Sequence, residues 1–172
     1  MIEYLDPITA KEALNSLYED NPSLRELICS TVERILGEID WSGISEELFS
    51  ALELIDMSDV WHNAGSNEFG YTDPVDAASE LIEEEIRPFR DEMVRYLKHG
   101  RPDLARHYCH GILDGIYRFT QESRSQFNEC ACDSLFYHFD ELLSEWLKST
   151  TDDKALAETA QFLQEHCLRW AK

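Results

Sequence analysis

The sequence predicts an all-α protein of about seven helices, packed as antiparallel helical hairpins. Three observations carry that expectation. Seven segments place apolar residues three and four positions apart, the spacing of one helix face. Most of them open on a recognisable start signal. No run alternates apolar and polar residues as a half-buried strand would.

The first segment sets Thr9 three residues before Glu12, a capping-box spacing, and continues with Ala10, Ala13, Leu14, Leu17 and Tyr18. Asn21 and Pro22 open the second, because the fixed φ of proline suits a first helical position. Its stripe of Leu24, Leu27, Ile28, Val32, Ile35, Leu36 and Ile39 is the cleanest in the chain. A third helix is expected from near Ser45, burying Leu48, Phe49, Leu52 and Ile55.

The stretch DMSDVWHNAGSNEFGYTD then mixes glycine, asparagine and aromatics without periodicity, so it reads as the longest loop and as a seam. Residues 1–172 are expected to form one all-α domain. Within it, a three-helix part over 1–57 and four long helices over 73–172 would meet at that seam.

Asp73 and Pro74 start the fourth helix, with Asp73 as cap, and Val75, Ala78, Ile82, Ile86, Phe89, Met93 and Leu97 mark its inner face. Pro88 inside this pattern removes a backbone donor and predicts a kink. Gly100 ends this helix and Pro102 begins the next, whose apolar residues run from Leu104 to Phe119. Gly111 and Gly115 lie four apart on that fifth helix, where each weakens it by about 1 kcal/mol relative to alanine. Close approach of a neighbouring helix is the expected compensation. A sixth helix spans roughly 127–148 with Trp146 inward, and a seventh follows Thr151. Short connections make these last four antiparallel neighbours, in a bundle or a short HEAT- or TPR-like array.

At 172 residues a domain typically buries roughly 70% of its unfolded surface. A composition 43% hydrophobic and 11% aromatic supplies the core. Five scattered cysteines and an N-terminus without a signal pattern point to a reducing, cytoplasmic compartment. No apolar run approaches the ~20 residues of a membrane span. The formal charge of -20 repels phosphate backbones, so direct nucleic-acid binding is not expected; a basic protein partner is one reading of that charge, and solubility another.

The densest polar constellation combines Arg106, His107, His110 and Asp114 on the fifth helix. His107 and His110 have the three-residue spacing of helical metal ligands, and His110 and Asp114 lie one turn apart. Further ligands would come from Glu83, Glu84 or Glu85, or from His138. The alternative is ordinary interhelical hydrogen bonding. Arg106 and Arg118 either line a pocket for an anion or face neighbouring carboxylates, the 83–85 run in particular. Cys130 and Cys132 project about 200° apart around a helix and cannot share one ion. In the irregular stretch Trp61, His62, Asn63, Phe69, Gly70 and Tyr71 either fold back onto the core or form a binding surface, of which Trp61, His62, Phe69 and Tyr71 are the candidates. No phosphate loop, nucleophile elbow or H-E-x-x-H appears, and no cofactor is implied.

The run ELIEEEIRPFRDEMVRYLKHGRPDLARHYCHGILDGIY, continued by DSLFYHFDELLSEWL, resembles a helical segment of prokaryotic SWIM zinc-finger proteins over about half of the chain. That family binds zinc through C-x-C followed by C-x-H, whereas Cys130 and Cys132 have no such partner downstream. The resemblance therefore implies the helical, protein-binding part alone, without a zinc site. The resulting expectation is a non-enzymatic helical interaction or scaffold domain. A small metal- or anion-binding enzyme and an acidic mimic of nucleic acid are its alternatives.

Overall fold

A computed structural model describes residues 5–67 and 70–170. The protein is all-α, with eight α-helices among those residues and one two-stranded ribbon. The chain divides into two compact units, residues 1–39 and 40–172.

In the first unit α1 (Pro7–Asp20) is capped by Asp6, whose carboxylate accepts from the backbone N–H of Ile8 and Thr9. Thr9 is not the cap itself; its hydroxyl donates to Asp6. A 3-10 turn (Pro22–Leu24) leads into α2 (Arg25–Leu36). The Arg25 guanidinium reaches back to the carbonyls of Tyr18 and Glu19 at 2.8 and 3.1 Å, satisfying acceptors that the end of α1 leaves over. Neither helix buries a side chain, although α2 carries the cleanest stripe in the sequence.

The second unit begins with α3 (Trp41–Glu53), four residues before the expected start, because Asp40 caps it through the Ser42 N–H at 2.8 Å. The expected seam holds structure. Asp56 and Asp59 form a capping box for the seven-residue α4 (Met57–Asn63). Strands β1 (Gly65–Asn67) and β2 (Gly70–Thr72) pair antiparallel, with Ser66 opposite Tyr71. Strands of three residues are too short to show alternation, so the sequence pattern could not announce them. The unit boundary falls at residue 39 rather than within 58–72, and α3 belongs with the later helices.

Asp73 caps α5 (Pro74–Lys98) as expected. This helix runs through Pro88, which is exposed, as is Glu84, whose carbonyl loses its donor to the ring. Val75, expected inside, lies outside. Gly100 adopts φ 70° after α5, and the Arg101 N–H returns to the Tyr96 carbonyl at 2.9 Å, a Schellman closure that favours glycine.

The helices α6 (Pro102–Glu122), α7 (Gln126–Ser149) and α8 (Asp153–His166) complete the unit. Every residue from Cys109 to Ile116 is buried, so α6 is covered on all sides, by α3, α5, α7 and α8. Its glycines explain how α3 comes so near. A methyl group at Gly111 would sit 2.5 Å from the Ile44 Cβ and 2.8 Å from the Trp41 carbonyl; at Gly115 it would meet the Ser45 carbonyl at 3.1 Å. The expected helix approach at these glycines is thus made by α3. Trp146, Phe119, Phe127 and Phe139 fill the interior.

Candidate functional site

The polar residues of α6 turn to two different neighbours. His110 is buried, with its ring stacked 4.1 Å from that of Phe162 on α8. Its Nε2 lies 3.1 Å from the Thr159 hydroxyl. That hydroxyl donates to the Ala155 carbonyl at 2.9 Å and accepts from the Trp146 indole N–H at 3.0 Å. Its single proton is spent on the carbonyl, so the imidazole donates from Nε2. Burial, with Arg106, His107 and His166 nearby, lowers the His110 pKa to about 3.

Asp114, one turn on, accepts from the Ser45 hydroxyl of α3 at 2.6 Å. Arg118 donates to the same Ser45 oxygen at 3.3 Å, which makes a relay of Arg118, Ser45 and Asp114 between the two helices. Burial raises the Asp114 pKa above the usual aspartate value, against the lowering influence of Ser45, His166 and Arg118. His107 is half-buried and shifted down, by burial first and by Arg106 second.

Two clefts open beside this frame, and Trp41 and His166 line both. One, of about 390 Å³, holds Ser45, Asp114 and Arg118; the other, of about 280 Å³, holds Arg106, His107 and His110. The arginines at their edges are already matched. Arg106 pairs with Glu158 of α8, and Arg118 with Glu46 at 3.1 Å and Glu122 at 3.0 Å. These partners come from α8, α3 and α6 rather than from the expected run at 83–85. A third cleft, of about 540 Å³ between α5 and α7, holds Glu83 and His138 instead. There His138 Nδ1 lies 3.6 Å from Glu83, and Nε2 lies 3.1 Å from the Ser79 carbonyl. Arg90 gathers Glu145, Glu83 and Glu141 at 2.7, 3.6 and 3.8 Å.

The expected metal set of His107, His110, Asp114 and a glutamate from 83–85 is therefore not assembled. Among the described residues no three His, Cys, Asp or Glu side chains lie close enough to hold an ion. No family model, curated protein or solved structure matches the chain. Also among the described residues, no helix is long and apolar enough to cross a membrane.

Of the candidates in 58–72, Trp61 and His62 stand on α4 and Tyr71 on β2, all exposed, while Phe69 lies outside the described residues. Trp61 and Tyr71 do not fold back onto the core: Trp61 keeps 62% of its surface and Tyr71 69%. Sequence reasoning missed Trp41, His166, Ser45 and Thr159. Trp41 preceded the expected helix start, and a serine or threonine inside an amphipathic helix carries no sign of what it will bond. Cys130 and Cys132 are both free and exposed on α7.

Proposed function

We propose that the chain is a helical protein-interaction module whose partner is basic, with its contact surface centred on residues 54–75. The observation that carries this reading is the company kept by Trp61 and Tyr71. Leu54 just after α3 is 84% exposed, and Val75 in the first turn of α5 is exposed as well, so four large apolar side chains stand out from one short stretch. Tryptophan and tyrosine are the side chains on which interface energy most often concentrates, being large and rigid.

Charge supplies the second support. Between Arg34 and Arg87 the sequence contains no lysine or arginine, while Glu53, Asp56, Asp59, Asp73 and Asp76 accompany the exposed apolar groups. A surface with this field attracts a basic partner at long range and rejects acidic ones.

The test is affinity capture by the full chain and by a variant carrying both Trp61→Ala and Tyr71→Ala. Both side chains are exposed, so the thermal midpoint should hold. The expected result is a basic protein retained by the natural chain, released by salt, and lost from the variant. A capture profile unchanged by the two substitutions would sink the reading.

A further inference from the structure

A buried carboxylate on α6 is left without a cation. Asp114 keeps 4% of its surface, and its Oδ2 accepts from the Ser45 hydroxyl at 2.6 Å. Among the described residues no donor bonds its second oxygen, and no arginine, lysine or histidine nitrogen comes within ion-pair distance of it. Arg118 reaches it only through Ser45, because its guanidinium is taken up by Glu46 and Glu122. A carboxylate withdrawn from water without a counter-ion is costly to the fold, so such a group points to a ligand that completes it. The raised pKa of Asp114 agrees, since burial outweighs Ser45, His166 and Arg118.

Asp114 lines the cleft of about 390 Å³, and every residue of that lining belongs to α3, α6 or α8 of the second unit. Glu122 and Glu165 line it too, so with Arg118 already paired the cleft is acidic. Aromatic rings share the lining. Trp41 is fixed by Phe162 and His166, with ring centres 5.0 and 4.7 Å apart, and Tyr117 by Trp170 at 5.5 Å.

We propose that this cleft binds an alkylammonium group, its N–H donors on the free oxygen of Asp114 and its carbon chain against Trp41 and Tyr117. The carboxylates reject an anion. A metal ion would need three or more protein donors, which the described residues do not gather, whereas an ammonium is satisfied by one carboxylate and water and is drawn to aromatic faces. A small free amine and the side chain of a lysine present the same group. None of these residues belongs to the 54–75 surface, and the proposal stands or falls without the reading given to it.

The full chain, isotope-labelled at its indole N–H groups, is titrated with cadaverine, with an acetyl-lysine methylamide blocked at both backbone ends, and with uncharged pentanol. The Trp41 signal, assigned with Trp41→Phe, should move saturably with amine and not with pentanol, while that of Trp61 stays. Binding of cadaverine alone marks a free amine as the ligand; equal or tighter binding of the lysine derivative marks a side chain. Asp114→Asn keeps an oxygen for Ser45 and should weaken binding roughly tenfold or more. Asp133→Asn removes the same charge from an exposed position on α7 and should leave binding unchanged. A Trp41 signal that no amine moves, equal shifts with pentanol, or the same affinity in both variants would overturn the proposal. If Asp114→Asn does not fold, the contrast between amine and pentanol on the natural chain still separates the outcomes.

Discussion

Residues 1–39 and 40–172 use the same kind of apolar stripe to opposite ends. In the second unit the stripes of α3, α5, α6, α7 and α8 close over one another, and Trp146 retains none of its surface. In the first, comparable stripes on α1 and α2 bury nothing. Amphipathicity states that a face favours cover; it does not state whether the cover is in the same chain. The stability of the protein should accordingly reside in residues 40–172, and substitution can measure how far.

The largest effect is expected at Trp146. Truncation to alanine empties the centre of the second unit and removes the indole N–H from Thr159, so Trp146→Ala should cost about 3–5 kcal/mol by chemical denaturation. A loss under about 1 kcal/mol would mean that α7 does not anchor the core.

Next is the approach of α3 to α6. A methyl group at Gly111 meets the Trp41 backbone and the branched carbon of Ile44, neither of which can swing away, so Gly111→Ala should destabilise by roughly 1–3 kcal/mol. At Gly43, on the outer side of α3, an added methyl would find nothing within 4 Å, and Gly43→Ala should be neutral or stabilise by up to about 1 kcal/mol. Equal effects at the two glycines would contradict the close packing.

The buried histidine gives a pH signature. Its folded pKa of about 3 lies below the ordinary 6.5, so its contribution is fully present above pH 6.5 and is lost as pH falls toward 3. The slope should approach about 1.4 kcal/mol per pH unit where the unfolded chain alone binds the proton. His107 acts in the same direction, whereas Asp114, raised by burial, contributes stability at acid pH that is lost as pH rises above 3.8. The cap Asp40, lowered chiefly by its hydrogen bond from the Ser42 backbone, loses its contribution only below 3.8. Subtracting the stability of His110→Gln, which keeps an N–H for Thr159, isolates the histidine between pH 6.5 and 4. Parallel curves for the two proteins would refute the neutral, Thr159-bonded imidazole.

What could be read in advance divides along the same physical line. Helix existence and most inward faces follow from local spacing: Ala78, Ile82, Ile86 and Met93 of α5 and Trp146 of α7 are all buried as expected. The caps Asp40 and Asp56 were visible residues whose role needed the following segment to be recognised as helical, and α4 is short enough to pass for loop. The pairing of Gly111 and Gly115 with a close neighbour was legible, yet the neighbour's identity was not. The same holds for the site. The spacing of His110 and Asp114 is local, whereas Thr159 and Ser45, which bond them, lie 49 and 69 residues away in sequence and come together only through the fold.

The smallest effect is the sharpest test of the contrast. Leu27→Ala in α2 removes a side chain about as apolar as any in the core, but one already in water, so stability should change by no more than about 0.5 kcal/mol. Leu48→Ala on α3, where the side chain is fully buried, should cost about 2–5 kcal/mol. The same chemical deletion thus separates the two units by several kcal/mol. If Leu27→Ala proves as costly as Leu48→Ala, the stripe of α2 is packed like those of the second unit and the contrast between the two units fails.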